Sequence, residues 1–362
     1  MYRNAKVLRY FHCAEKSFKT VVEYHFISSY NRLYTVVTVA QQGEINRMND
    51  KALIREIEST YSNIAGLAIQ KNGELLYEHY YNGYQDSDTI HICSVTKSIF
   101  SILIGIAIDR GYIRSVDQAV LEFFPNYSIK RGEKTIQRIT LKNILTMTAS
   151  YKYKHEPYTK VYGSEDWTKA ALDLLGGKGK IGDFKYSTVG AQILSGVLQN
   201  ATGKSVTEFA AESLFTPLGI STPAPTVLAG KEQHIAFLKE KQVSGWVVDP
   251  QGLPTAGWGL TLRLRDMVKI GYLCLCEGKH NGKQIVSASW IKESTREHAH
   301  WKEYSYGYLW WNLDKNGNGA FAAIGDSGNT IYVSPEEQLV IALACSFKPR
   351  VRSIGDLLRQ FT

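Results

Sequence analysis

HICSVTKSIF, residues 91–100, places Ser94 and Lys97 three positions apart, where a polar approach gives way to a long apolar run. The continuation SIFSILIGIAI at 98–108 is too short to span a bilayer and ends in Asp109 and Arg110, so it reads as a buried core helix. On a helix, residues three apart share a face with Cβ atoms roughly 5–6 Å apart, which brings the Lys97 amine within reach of the Ser94 hydroxyl. A serine hydroxyl is a poor nucleophile until a base takes its proton. A free lysine, with a pKa near 10.4, is neutral in only about one molecule in a few thousand at neutral pH. Two features push Lys97 toward the neutral amine. Ile99, Phe100, Ile102 and Leu103 promise desolvation, and the first helical turn carries the positive end of the dipole. The bland alternative is that Ser94 caps a core helix and Lys97 is solvated, and S-x-x-K alone is too short to decide between them.

The rest of the chain bounds the choice. With 362 residues, 44% of them hydrophobic and 21% charged, it reads as a soluble globular protein with a substantial core, built as one large domain with an insertion or as two intimate lobes. The net charge of +8 is dispersed, its densest cluster being KGK at 178–180, which argues against nucleic acid. MYRNAKVLRYFHCAEKSFKT at the N-terminus lacks the apolar core and cleavage site of a secretory signal, so a cytoplasmic location is expected, with no membrane partner. Five cysteines, none in C-x-x-C or Cys/His ligand spacing, favour reduced thiols and no structural metal. Cys93 has no thiolate-activating neighbour at helical spacing and reads as an apolar filler.

Element patterns point to α+β, an antiparallel sheet flanked by helices with an inserted, mostly helical lobe. Residues 1–44 are basic and aromatic, with β-like runs TVVEYHF and LYTVVTV, and form an extension without an assigned role. From about 50 the chain reads as a helix, then two alternating strands around Lys71-Asn72-Gly73, then the helix from Ser94. Helical patterns dominate 113–246: TLKNILTM, DWTKAALDLLGG, VGAQILSGVLQNATG, and SVTEFAAESLF with Ser205 and Glu208 in capping-box register and Pro217 just beyond. A helix in RLRDMVKIGYLCLCEG precedes strand-like YGYLWWNL, AFAAIGDSG, NTIYVSP and LVIALACSF and a helical tail. The expected division is 45–112 with 247–362 as an α/β lobe split in sequence, and 113–246 as the helical lobe.

Taken with Ser94-Val95-Thr96-Lys97, further segments carry a resemblance: LKNILTMTAS at 141–150, GDFKYST at 182–188, GWGLTLRLRDMVKIGYLCLCEG at 257–278, YGYLWW at 306–311 and IGDSGNTIYVSP at 324–335. From about 50 to 350 the chain resembles the serine β-lactamase and penicillin-binding-protein-like superfamily, in the branch with class C β-lactamases, family VIII esterases and nylon-oligomer hydrolases. The resemblance implies Ser94 as the acylated nucleophile, Lys97 as its base and Tyr186 as the proton relay to the leaving group, with Lys97 and Tyr186 titrating as a pair. It implies an oxyanion hole from the backbone N–H of Ser94 and Asn329, and substrate contacts at Thr188, Asp326, Ser327 and Gly328. Trp258, Trp310 and Trp311 are candidates for an acyl pocket, while His79, His91 and His155 read as structural.

Two departures from the family pattern bear on substrate. The tyrosine motif, commonly Tyr-x-Asn, ends in Thr188, and the third motif, commonly Lys-Thr-Gly or His-Thr-Gly, is Asp326-Ser327-Gly328. The first removes an amide donor and the second sets an anion where a β-lactam carboxylate docks, at a cost on the order of several kcal/mol in a partly buried cleft. The expectation is a serine acyl hydrolase of carboxylic esters or small amides, acting on a small-molecule acyl substrate without metal or organic cofactor. The alternatives are a β-lactamase or D-amino-acid peptidase or amidase, and a penicillin-binding or sensor-like protein that acylates without turnover. The oligomeric state is left open.

Overall fold

The computed structural model describes residues 62–348 apart from 242, 303 and 315–318, together with Arg55 and Ser59, and gives residue 231 as backbone only. The N-terminal extension, the helix expected near 50 and the C-terminal helical tail lie outside the described residues.

Alternating apolar residues on either side of an Asn-Gly pair make the first hairpin. β1 (Ile64–Lys71) and β2 (Glu74–Tyr80) pair antiparallel, and the two turn residues, Asn72 and Gly73, have φ of 51° and 83°. Positive φ at both central positions is what a tight hairpin of this hand demands, and Asn-Gly supplies it at least cost. A short β3 (Thr89–His91) then leads into α1 (Val95–Asp109), buried continuously from Val95 to Ala107.

The helical stretch follows as α2 (Leu141–Leu145), α3 (Tyr158–Tyr162), α4 (Trp167–Leu174), α5 (Thr188–Ala191), α6 (Ile193–Thr202), α7 (Val206–Ala210) and α8 (Gly230–Lys239). The capping box read from the sequence opens α7: Ser205 Oγ accepts the Glu208 N–H at 3.2 Å and the Glu208 carboxylate accepts the Ser205 N–H at 3.1 Å. The chain returns through β4 (Thr261–Arg263), paired with β3, and α9 (Leu264–Leu275), then α10 (Ala288–Thr295).

Six strands complete the sheet: β5 (Ala299–Trp301), β6 (Tyr304–Tyr306), β7 (Trp311–Asn312), β8 (Phe321–Ile324), β9 (Thr330–Ser334) and β10 (Leu339–Cys345). The order is β2-β1-β10-β9-β8-β7-β6-β5, and every pairing within it is antiparallel. The architecture is thus α+β, with helices against the sheet and a mostly helical lobe inserted between its first and later strands. The early hairpin sits beside the last strand, which makes β1 an interior strand and explains its near-continuous apolar run.

Helix α1 is the pivot. It touches β8 on the sheet side and α6 in the helical stretch, and α10 lies along it with the Trp290 ring against Gly105. Trp290 Nε1 donates to Ser101 O at 3.0 Å, so the indole buries without an orphaned donor. The N-terminus of α1, with Ser94, emerges where these layers meet.

Two segments depart from the sequence reading. YGYLWW is not one strand: only its flanks pair, because Leu309 takes a left-handed φ of 63° and gives its N–H to Leu145 O at 2.9 Å. Asp326–Gly328 is a single 3₁₀ turn rather than strand, with Ser327 at φ 62°, and β9 begins only at Thr330.

Candidate active site

Ser94 is the residue before α1, yet its side chain makes no capping bond. Lys97 Nζ instead donates to Ser94 Oγ at 2.9 Å, which excludes the reading of Ser94 as a mere helix cap. The same amine reaches Thr188 Oγ1 at 3.1 Å and Gly257 O at 2.8 Å, and the Lys97 side chain is 1% exposed. Those acceptors belong to three separate parts of the chain. Gly257 has to be glycine for this meeting, since a Cβ there would lie 2.9 Å from Thr188 O and 2.7 Å from its methyl.

Burial pulls the Lys97 amine down to about 7, against the opposing charge of Glu156. Tyr186 lies near enough to Ser94 for the serine to oppose part of the rise in its phenol pKa. The Tyr186 ring lies 4.9 Å from Lys97 Nζ, a cation–π contact rather than a hydroxyl-to-amine bond. Burial raises the Tyr186 phenol above its ordinary value, with Glu156 and Asp326 adding to the rise, so it keeps its proton at neutral pH. Tyr306 and Trp311 fix the ring, the first edge-on and the second stacked at an interplanar angle of 13°.

A carboxylate that the sequence did not single out underlies this motif. Glu156 is buried and accepts the Ser187 hydroxyl at 2.7 Å, the Val189 N–H at 2.9 Å and the Tyr153 hydroxyl at 3.3 Å on one oxygen. Its other oxygen takes the Tyr158 hydroxyl at 2.6 Å. Glu156 therefore clamps the chain on both sides of Thr188, two residues beyond Tyr186. Its only local signal is its place before Pro157, among tyrosines.

The third-motif turn lies beside the serine. A Cβ on Gly325 would sit 2.5 Å from Ile92 O and 3.2 Å from Ser94 N, so only glycine lets this chain pass the Ser94 amide. No described acceptor takes the Ser94 N–H. The Asn329 N–H makes a long bond of 3.4 Å to Asp326 O. The Asn329 side chain is buried and braces the turn, donating to Asp326 O and Cys345 O, both at 3.1 Å, and accepting the Cys345 N–H at 2.9 Å. Asp326 is half-buried, its Oδ1 accepting the Ser327 N–H at 2.6 Å while its charge is felt by Tyr186 and Cys93. Gly328, at φ 104°, carries the turn toward β9.

Not every expected contact is brought to the site. Ser327 turns inward: it is buried, its hydroxyl accepts the Lys348 N–H at 3.1 Å and its carbonyl takes Asn63 Nδ2 at 2.9 Å, which ties the turn to the chain on either side of it. The Thr188 hydroxyl accepts a hydrogen bond from Lys97. Trp258 packs against His91, Tyr162 and His234, directly after the carbonyl that holds Lys97. Trp310 is a core residue against Phe321, whereas Trp311 lines a cavity. His91 is structural: burial pushes its imidazole down to about 3, and Nε2 accepts the Gly259 N–H at 2.9 Å. Burial raises the Cys93 thiol, which removes it as a nucleophile.

The cavity, of about 430 Å³, opens beyond Tyr186 between the 149–156 and 179–186 segments and the strand residues Trp301 and Trp311. Among the described residues no helix is long and apolar enough to cross a membrane.

The Beta-lactamase family model matches residues 54–359. The chain belongs to the β-lactamase family. It is 24% identical over 308 residues to the 6-aminohexanoate-dimer hydrolase of Paenarthrobacter ureafaciens, covering 77% of this chain and 71% of that protein. Among solved structures, a penicillin-binding protein homologue from Caulobacter crescentus superimposes with TM-score 0.62 at 16% identity, over 82% of this chain and 91% of that one. EstCE1, a hydrolase with promiscuous acyltransferase activity, does so with TM-score 0.65 at 14% identity, over 88% and 98%. Those two likenesses concern the fold. Together with the family match, the relatives make this chain a β-lactamase-family hydrolase in the serine β-lactamase and penicillin-binding-protein-like superfamily.

Proposed function

We propose that the protein is a serine acyl hydrolase that forms an acyl-enzyme on Ser94 and cleaves carboxylic esters or small amides. The observation that carries the reading is the 2.9 Å bond between Ser94 Oγ and a buried Lys97 amine whose pKa is drawn down to about 7. A neutral amine in that place takes the Ser94 proton as Oγ attacks the substrate carbonyl carbon. The Ser94 N–H and the Asn329 N–H face the developing oxyanion, and the long Asp326 bond of the latter is the one a stronger acceptor displaces. As the tetrahedral intermediate collapses, Tyr186 gives its proton to the departing oxygen or nitrogen and regains one from the Lys97 ammonium. Water then cleaves the ester on Ser94, releasing the carboxylic acid and restoring the hydroxyl.

Esters and small amides are placed ahead of β-lactams for two reasons. Asp326 sets a negative charge beside Ser94, and Thr188, which already accepts from Lys97, has a single hydroxyl where an asparagine would offer a carboxamide to the substrate amide. The test is intact-mass analysis of the protein with a short nitrophenyl ester, nitrocefin, a D-amino-acid amide and a linear aminohexanoate dimer, alongside Ser94→Ala. Turnover of the ester or an amide, with covalent labelling by a fluorophosphonate that disappears in Ser94→Ala, is the expected result. Labelling that persists without Ser94 overturns it.

A further inference from the structure

The cavity beyond Tyr186 has walls of two kinds. Tyr151, Phe184, Tyr186, Trp301 and Trp311 give it aromatic faces, with Phe184 6.3 Å and Tyr186 6.0 Å from the Trp311 ring. Its charged lining is three lysines, Lys154, Lys180 and Lys185, against two carboxylates, Glu156 and Asp183. The two signs are not equally available. Both oxygens of Glu156 are taken by protein donors, four in all, at the back of the cavity. Among the described residues Asp183 faces only Lys180, at 3.9 Å, and both are largely exposed.

The lysines are less committed. Lys154 is exposed and, among the described residues, has neither a hydrogen-bond nor an ion-pair partner. Lys185 donates to the Tyr153 carbonyl and lies 4.3 Å from the Tyr153 ring centre and 5.8 Å from that of Tyr151. It is half-buried and has no carboxylate within ion-pairing distance among the described residues. The cavity thus offers flat apolar walls within and unmatched positive charge toward its mouth.

We propose that this cavity is the subsite for the departing half of the substrate, and that it selects a leaving alcohol or amine whose apolar, preferably aromatic, body ends in a carboxylate. The proposal rests on the serine-hydrolase reading, because Tyr186, the group assigned to protonate the leaving atom, is also a wall of the cavity. A volume of about 430 Å³ holds one ring and a short chain with room for water. The ring packs against the aromatic wall that Trp311, Phe184 and Tyr186 form together, and the carboxylate, repelled from Glu156 at the back, comes to the unpaired Lys154 and to Lys180, whose exposed 3.9 Å contact with Asp183 it competes for, at the mouth. This preference concerns the leaving side and is separate from Asp326, which lies beside the third-motif turn.

The experiment uses two acetate esters with the same acyl group and nearly the same leaving phenol. One is the acetate of 3-(4-hydroxyphenyl)propanoate and the other the acetate of its N-methylamide. Both give the same acetyl-enzyme, so kcat/KM compares acylation alone. The carboxylate ester is expected to be favoured by about fivefold at low salt, the size of two solvent-exposed charge contacts. The preference fades as ionic strength rises to about 0.3 M. In a Lys154→Glu, Lys180→Glu variant it falls to unity or reverses, while the neutral ester keeps its rate within about twofold. Equal rates in the native protein, or a preference that survives both substitutions, overturn the subsite. Calorimetric binding of the two esters to the Ser94→Ala protein reads the same preference without chemistry. A retained binding preference in a protein that turns over neither ester supports the subsite and removes the catalytic reading alone, whereas equal binding removes the subsite.

Discussion

Lowering the pH tests Lys97 most directly, because burial has moved its pKa from an ordinary 10.5 to about 7. At pH 7 roughly half of the molecules carry the neutral amine, against about one in three thousand for an unshifted lysine. That difference, about three orders of magnitude in neutral amine, is the advantage the burial of α1 would give Ser94 if Lys97 is its base. The neutral fraction is about nine-tenths at pH 8, one-tenth at pH 6 and one-hundredth at pH 5. The acylation rate, read as kcat/KM for a neutral ester at constant ionic strength, should therefore rise with unit slope from pH 5, bend near 7 and level off by about 8. The neutral substrate keeps the bend attributable to the enzyme. The phenol of Tyr186, held above its ordinary value, stays protonated throughout and adds no limb. A profile flat from pH 5 to 8, or one whose limb lies near 10, would refute the assignment of the buried amine as the base.

Glu156→Gln keeps the shape of the clamp and removes the charge that opposes the fall in the Lys97 pKa, so the acid limb should move to lower pH. An unmoved limb with a lowered plateau would make Glu156 a brace only. Asp326→Lys should raise kcat/KM for a carboxylate-bearing β-lactam relative to a neutral ester, chiefly through KM, with the gain fading as salt is added. An unchanged ratio at every ionic strength would remove the charge argument for placing esters first. Gly105→Ala forces a Cβ to within 2.2 Å of the Trp290 ring and should lower stability by about 1–3 kcal/mol in chemical denaturation. No change in the midpoint would show that α10 shifts freely on α1.

Much of the scaffold was legible because its causes are local. Asn72-Gly73 between alternating strands specifies a hairpin, and Ser205 with Glu208 specifies a helix start, each within a few residues. Ser94 and Lys97 share one helical turn, so their meeting followed from helix geometry. The remaining features are long-range. Glu156 reaches its partners at 187 and 189 across some thirty residues that carry no periodic signature. The Asp326–Gly328 segment read as strand by its setting, yet its turn is set by the positive φ of Ser327 and by the buried Asn329 side chain, whose partners lie at Asp326 and Cys345. Thr188 was assigned to substrate by its motif position, and only the packed structure shows that the nearer claimant is Lys97.

The interior position of β1 gives the enzyme a timetable. One neighbour, β2, is made immediately after it, whereas the other, β10, is 272 to 274 residues downstream by the register Ile69↔Ile341 and Ala68↔Ala342. On a chain emerging from the ribosome the hairpin waits with an unpaired apolar edge, an invitation to pair with a neighbouring nascent chain until the last strand arrives. The same delay governs Lys97, whose acceptors at 188 and 257 are translated long after it. Until they close around it the amine stays solvated and charged, so on the growing polypeptide Ser94 has an ammonium rather than a neutral amine beside it.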